Sequence, residues 1–349
     1  MSVTAMNNGI ATTTAGTRVV GTGAAVHELA QGEEPTSDPM PVDVALCVIT
    51  FRRPEGLTRL LDALGRLDVP AAVRLSVVVV DNDPAGSARA VVDAATTALL
   101  HTVRYEVEPA RGIPMARNRA LKLALDLQPQ FIAWIDDDEH PEPDWLCNLW
   151  ETQNATDADV VMGPGVPLFE PGTPAWIQEP GLFDHVHFET GRDFPYFYAR
   201  TSGILVRASV VPAERFDERL ALTGGEDRLF FTRIHRAGGR FVWDDRAVVH
   251  DHIPRSRATS GWLIRRWYRT GVTRSLTMVY LDHPGALRRA RRVLGGLAMA
   301  GGGLVRTLVG LRRGRTEVLR RWRIVMLGLG ASAGALGIRY QEYRSVHGS

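Results

Sequence analysis

Four acids stand in a row, Asp136, Asp137, Asp138 and Glu139, directly after the apolar run 131–135 in FIAWIDDDEHPEPDWL (131–146). Carboxylates held this close repel one another, and in a folded site they call for a counter-charge, usually a cation. A solvated acidic loop is the plain alternative. Asp136 and Asp138, at i and i+2 after a buried strand, could hold a hard divalent cation through oxygen ligands. Two carboxylates are too few for a closed structural site, so such a cation would be shared with phosphate oxygens as a metal–diphosphate.

A second acidic pair, Glu226 and Asp227, follows two glycines in GGED (224–227). The glycines let backbone approach closely, and a helix start favours acids in its first turn. Asp227 could there act as general base on an acceptor hydroxyl; the competing reading is helix capping by both acids. Arg117 and Arg119, near the start of the helix after RGIP (111–114), are candidates to pair with phosphate oxygens, against ordinary solvent exposure. His250 and His252 could complete a metal site, although a half-buried histidine bonded to a neighbour is the commoner arrangement. Strand alternation puts both on one face and Asp251 on the other.

The elements that must position these residues follow from apolar periodicity. VDVALCVIT (42–50) and LSVVVVDND (75–83) are short apolar runs suited to strands buried on both faces. Between them a helix starts at Pro54, with Leu57, Leu60, Leu61 and Leu64 on one side. A helix over 86–98, a strand over 102–108, a helix from Pro114 and the strand FIAWID complete four alternations, the pattern of a parallel, doubly wound sheet. Ligands of such sheets bind beyond the carboxyl ends of the strands. Three positions converge there: Thr50 with Phe51 and Arg52, Asp81 with Asp83, and Asp136 with Asp138. Farther on, 158–170 reads as a strand broken by Gly and Pro, 202–207 as a strand, 224–239 as a helix and 240–254 as containing a strand. Neither a Gly-x-Gly-x-x-Gly nor a Gly-x-x-x-x-Gly-Lys-Ser/Thr loop follows the first strand, which argues against a dinucleotide oxidoreductase and a P-loop enzyme.

The 349 residues, 45% apolar and 23% charged, suffice for one large α/β domain with appendages. The net charge of +2 conceals an asymmetry, with 19 Arg against three acids from Arg255 onward and 22 basic against 36 acidic residues before it. A basic tail on an acidic body points to a polyanionic partner. Two apolar stretches in that tail, 293–305 and 324–338, fall short of the about 20 residues of a spanning helix. With LRRARR and LRRGRTEVLRRWR beside them, they are expected to form a hairpin lying in an anionic inner leaflet; the alternative is a helical pair packed on the catalytic domain. Nucleic-acid binding is not expected, since no recognised module is present. Residues 1–42 lack a signal-peptide pattern and are expected to be a mobile extension, and two cysteines make no disulfide framework, so a cytoplasmic setting is the default.

In order along the chain, VITFRRPEGLTRLLDAL, VVVVDND, RGIPMARNRAL, FIAWIDDDEHPEPDWL, GPGVPLFE, RFDERLALTGGEDRLFFTRIHRAGGRFVW and IPRSRATSGWLIRRWYRTG resemble the motifs of the family 2 glycosyltransferases. The resemblance spans roughly 43–270, and its last three pieces look most like the bacterial exopolysaccharide branch of the succinoglycan type. It implies a GT-A nucleotide-diphospho-sugar transferase fold, a mixed sheet flanked by helices, for 43–270, while composition sets apart 1–42 as an extension and 271–349 as a basic, membrane-associating helical tail. It further implies an inverting transfer to a hydroxyl acceptor, on polysaccharide, glycolipid or a lipid-linked intermediate, at the inner face of the cell membrane. Asp136 and Asp138 then match the Asp-x-Asp motif for donor ribose and Mn²⁺ or Mg²⁺, with Asp137 among the donor-binding residues. Asp81 matches the acid that contacts the nucleobase, Thr50 and Arg52 the loop around it, and Arg117 the donor-side arginine. Asp227 matches the catalytic base, with Glu226 beside it for acceptor or sugar hydroxyls. A third protein ligand of the metal stays open among His250, Asp251 and His252. The runner-up readings are a nucleotidyltransferase on a related sheet and a catalytically silent scaffold binding nucleotide-sugar or membrane.

Overall fold

A computed structural model of the chain describes residues 40–340 apart from positions 98, 100, 184 and 185. The expected extension therefore lies, up to residue 39, outside the described residues. The first half alternates as its periodicity predicts: β1 (Val42–Thr50), α1 (Pro54–Leu64), β2 (Val73–Asp81), α2 (Arg89–Thr96), β3 (Thr102–Val107), α3 (Ile113–Leu125) and β4 (Phe131–Trp134). β1 and β2 are apolar throughout because each face of the sheet has its own core. Val44, Leu46, Val48, Val77 and Val79 pack with Leu57, Leu60, Leu61 and Leu64 of α1. Ala45, Cys47, Val78 and Val80 point the other way, against Ala116, Ala120, Leu121 and Ala124 of α3. Fully burying one such Leu or Val contributes about 1.5–3 kcal/mol, so these two layers hold the strand ends rigidly in place.

The second half runs β5 (Glu139–Pro141), α4 (Trp145–Thr156), β6 (Val160–Met162), β7 (Gly165–Phe169), β8 (Ile204–Arg207), α5 (Glu226–Arg236), β9 (Phe241–Trp243), β10 (Val249–Ile253), α6 (Ser260–Asp282), α7 (Ala286–Val309) and α8 (Arg315–Ala335). The large sheet has the order β3-β2-β1-β4-β8-β6-β9, and β8 is antiparallel to both its neighbours. The doubly wound parallel pattern thus holds for β1–β4, and the whole sheet is mixed. The chain runs outward from β1 to β2 and β3 and then returns to place β4 on the other side of β1, so the switch point where ligands bind lies at the carboxyl ends of β1 and β4.

A second, three-stranded sheet has the order β5-β10-β7. It corrects two expectations. The stretch 158–170 is not one broken strand but two strands in different sheets, parted at Gly163, where a Cβ would lie 1.9 Å from the Ala247 carbonyl oxygen. The stretch 240–254 likewise divides into β9 in the large sheet and β10 in the small one. β10 pairs antiparallel with β5, which sets Asp251 opposite Glu139 and so beside the acidic run.

In the tail, α8 lies between α6 and α7. Its glycines permit this: a Cβ on Gly330 would lie 2.1 Å from the Tyr268 carbonyl oxygen of α6, and one on Gly328 2.5 Å from the Gly296 carbonyl oxygen of α7. The first apolar stretch lies within α7, of 24 residues, and the second, up to Ala335, within α8, of 21 residues, because the flanking arginines are helical too. α7 is long and apolar enough, by length and composition, to cross a membrane. Only Gly296, Ala300, Gly303 and Thr307 of α7 are buried; its outward residues include Leu294, Leu297, Leu304, Val305 and Leu308, all exposed. Position 270, expected to divide the catalytic domain from the tail, falls inside the continuous α6.

Candidate active site

The switch point opens into a cleft of about 550 Å³. The chain turns out of β4 through Asp136–Asp138 and immediately forms β5, so three successive carboxylates are held at the mouth of the sheet. Each has a different environment. Asp137 is turned inward: Thr50 Oγ1, at the end of β1, donates to its Oδ2 at 2.8 Å, and Arg53 Nη1 donates to its Oδ1 at 3.0 Å. Asp138 Oδ2 accepts from Arg53 Nη1 at 2.9 Å and from Arg257 Nη1 at 2.8 Å. Asp136 is the most accessible of the three and faces Arg117 Nη2 at 3.3 Å.

Burial pushes the Asp137 carboxyl up to about 6, the Arg53 guanidinium offsetting only part of it. Burial also raises Asp136, against the pull of Arg117, and Asp138 adds to the rise. At Asp138 burial acts in the same sense, but Arg257 and Arg53 together outweigh it and hold this carboxyl below its ordinary value. Burial and then the nearby Asp138 raise Asp251 to about 6. Glu139, buried against Asp136 and Asp251, rises well above the usual range; Ser202 Oγ donates to it. Burial is thus the first cause at each raised acid, and at Asp138 the guanidinium groups outweigh it.

The second acidic pair arrives from α5. Gly224 and Gly225 both take left-handed backbone, φ 76° and 92°, and a Cβ on Gly225 would lie 2.7 Å from Thr273 Cβ of α6. A side-chain-bearing residue at 225 is therefore excluded twice, by dihedral and by space. Glu226 is buried and forms an ion pair with Arg117, which thereby bridges Glu226 and Asp136. Burial raises the Glu226 carboxyl to about 7, with Arg117 opposing and Asp227 and Asp136 adding to the rise. Its Oε2 is buried with no hydrogen-bond partner among the described residues. Asp227 also lines the cleft; its Oδ1 accepts from the Arg228 amide at 2.6 Å, so part of the capping expected for this pair is present.

Two donor-side expectations, Asp81 and Arg52, do not meet the cleft. Asp81 is buried in the turn after β2, its carboxylate accepting from the amides of Asp83 at 2.9 Å and Ala88 at 2.7 Å and from the Tyr105 hydroxyl at 3.1 Å. Arg52 takes φ 54°, pairs with Asp83 at 2.9 Å, and leaves Arg53 to face the acids. Arg119 is paired with Glu106 and is likewise absent from the lining. Asn82, which pattern reasoning passed over, and Phe51, expected beside Thr50, fill these places. Asn82 donates to the carbonyls of Glu108 and Ala110 and accepts from the Gly112 amide, which ties the end of β2 to the start of α3. Phe51 lines the cleft beside Asn82, and the guanidinium groups of Arg52 and Arg111 each lie 5.1 Å from its ring centroid. Arg53 was detectable only as one of two adjacent arginines, and Arg257 only as one of many in a basic segment.

Of the three candidates on β10, Asp251 lines the cleft, whereas His250 bonds Glu142 and His252 bonds His140 on the other face. Among the described residues no three metal-binding side chains come together. The donor set nevertheless suits a hard divalent cation. It is all oxygen, and Asp136 and Asp138 leave the remaining coordination to phosphate and water.

A mixed sheet of this order, with acids at the β4 end and a glycine-hinged acidic pair facing them, defines a glycosyltransferase of the GT-A fold. Residues 45–208 match the family model Glycosyl transferase family 2. The chain is 31% identical over 307 residues, 88% of its length and 96% of the relative's, to the succinoglycan biosynthesis protein ExoM of Rhizobium meliloti (strain 1021). It therefore belongs to glycosyl transferase family 2 and is a glycosyltransferase, which sets the nucleotidyltransferase reading aside. The mannosyltransferase PcManGT from Pyrobaculum calidifontis, solved in complex with GDP-Man and Mn²⁺, aligns with a TM-score of 0.53 and 19% identity over 85% of this chain and 90% of that one. That likeness bears on the fold.

Proposed function

We propose that this enzyme moves a sugar from a nucleotide-diphospho-sugar to an acceptor hydroxyl with inversion, in the assembly of an exopolysaccharide or a related glycolipid. The observation that carries the reading is the meeting, in one cleft at the β1/β4 switch point, of Asp136 and Asp138, Arg117, and the Glu226–Asp227 pair. The nucleoside is assigned to the end of the cleft formed by Thr50, Phe51, Asn82 and Arg111, with Asp81 and Arg52 shaping the turns behind it. The diphosphate is assigned to Arg117 and to a Mn²⁺ or Mg²⁺ ion held by Asp136 and Asp138, with Asp251 the best placed third acid. When bound, that ion supplies positive charge to the leaving diphosphate. Asp227 takes the proton of the acceptor hydroxyl as its oxygen forms a bond to the anomeric carbon, and the bond to the diphosphate oxygen breaks on the opposite face. Glu226 Oε2, buried without a partner, accepts from a sugar hydroxyl and is thereby satisfied. Arg117 keeps Glu226 in place while facing the diphosphate, so one guanidinium couples the two halves of the site.

The experiment is a thermal-shift and hydrolysis screen of the purified protein against UDP-, GDP- and dTDP-sugars, with and without Mn²⁺. Stabilisation by one nucleotide class that requires the metal is the expected result. A folded protein indifferent to every nucleotide would sink the donor assignment.

The catalytic domain is assigned to 43–270 and the tail to a membrane-associating role at the cytoplasmic face. The exposed leucines of α7, bordered by Arg288, Arg289, Arg291 and Arg292 at one end and Arg306 and Arg312 at the other, support a helix lying in the headgroup region of an anionic leaflet. Flotation should recover the protein with phosphatidylglycerol-containing vesicles and far less with neutral ones. Replacing exposed Leu297 and Leu304 by Asp should abolish recovery without unfolding the chain, since both side chains are about half exposed, at 49% and 43%. Equal recovery with neutral vesicles, or no effect of the double variant, would refute this role.

A further inference from the structure

One wall of the cleft is basic. α6 turns Trp262, Arg266, Arg269, Thr270, Thr273 and Arg274 toward it, a stripe at helical spacing with three guanidinium groups and no carboxylate. The contact between Gly225 and Thr273 fixes the place of this stripe, because it brings α6 against the backbone two residues before Asp227. Arg228, the residue after Asp227, joins it from α5. Its Nη1 donates to the Phe197 carbonyl at 3.1 Å and its guanidinium lies 5.8 Å from the centroid of that ring, and it makes no ion pair among the described residues. Burial lowers the Arg228 pKa, Arg274 lowers it further, and Arg292 of α7 adds to this, while Asp227 offsets only part. Arg228 and Arg274 are thus close enough to act on one another beside Asp227.

We propose that Arg228, Arg269 and Arg274 form an anion subsite beside Asp227, which holds a phosphate or diphosphate group carried by the acceptor. A carboxylate is matched by a single guanidinium fork, whereas three guanidinium groups in one wall suit the several oxygens of a phosphate or diphosphate. The subsite also has a direction. Arg292 of α7 donates to Ser275 Oγ at 2.9 Å, one residue beyond Arg274, so the helix with the outward apolar face meets α6 next to the basic stripe. A lipid chain on the bound diphosphate would run along that helix, and the sugar hydroxyl would sit at Asp227. The inference rests on the assignment of Asp227 as base and names the acceptor class for it.

The test is calorimetric titration of the full-length protein in EDTA, with inorganic pyrophosphate and with farnesyl diphosphate, repeated in the presence of the nucleotide identified by the donor screen. Both ligands should bind, and nucleotide should not displace them. Arg228→Gln and Arg269→Gln should each weaken binding about 10- to 100-fold, the effect of one lost charge-assisted contact, while the thermal response to donor nucleotide stays as in wild type. Tighter binding of farnesyl diphosphate than of pyrophosphate identifies a lipid-borne diphosphate; equal binding supports the subsite with a water-soluble phosphorylated acceptor. Displacement by nucleotide, or binding indifferent to both substitutions, overturns the subsite. Absence of pyrophosphate binding with the nucleotide response intact overturns the subsite alone, whereas loss of both in the wild-type protein removes the donor assignment beneath it.

Discussion

Asp227→Asn should bind the donor nucleotide as the wild-type enzyme does and transfer sugar about 100- to 10,000-fold more slowly, the range expected when a positioned general base is lost. The reasoning is geometric. Asp227 lies in the first turn of α5, its Oδ1 is held by the Arg228 amide, and the left-handed glycines before the helix allow α6 to close against the same point. Asparagine keeps size and can keep the amide contact through its own oxygen, but cannot take the acceptor proton. Neither α5 nor the cleft should change, so the melting temperature should stay close to that of wild type. The effect should fall on kcat with KM for donor little altered, since the lost interaction exists only in the transition state. Full turnover by this variant would remove Asp227 from the chemistry.

The second large effect is expected at Asp138. Asp138→Asn should eliminate metal-dependent stabilisation by the donor nucleotide and reduce kcat/KM about 1,000-fold, consistent with several kcal/mol of transition-state charge stabilisation. Asp138 receives Arg53 and Arg257, and those two guanidinium groups hold its carboxyl ionised despite burial. Its neighbours behave differently: Asp136, Asp137 and Asp251 are all raised by burial and by the charge of Asp138. Replacing Asp138 removes a charge that already has two partners, so some loss of fold stability should accompany the loss of donor binding. Arg257→Gln separates the two effects. It should lower stability through the same ion pair while retaining a metal-dependent nucleotide response. If Asp138→Asn keeps that response in full, the cation is held elsewhere, and Asp136 with Asp251 becomes the pair to examine.

Much of the framework was legible in the sequence because its causes are local. Strands buried on both faces must be apolar throughout, and an amphipathic helix must repeat its leucines every three or four residues, so β1 to β4, α1 and α3 could be located without knowing what they pack against. The acids at 136–138 and at 226–227 were legible for the same reason. Charges are tolerated at the end of a buried strand or at a glycine-flanked helix start only when the chain turns there.

Tertiary structure decided what local pattern cannot contain. Whether Arg52 or Arg53 faces the acids depends on one left-handed dihedral, and Asp81 is withdrawn from the cleft by amides that the turn to α2 brings to it. The stretches 158–170 and 240–254 each divide between two sheets, and only that division sets Asp251 beside Glu139 and sends His250 and His252 to the opposite face. The basic stripe of α6 reads along the sequence as undirected positive charge; its meaning comes from the contact of Thr273 with Gly225, which sets it beside Asp227. In each case two segments distant in the chain meet through packing that neither segment specifies alone. Which residues can do chemistry is a property of their types and local spacing, while which of them face one another is a property of the packed core that holds the strand ends together.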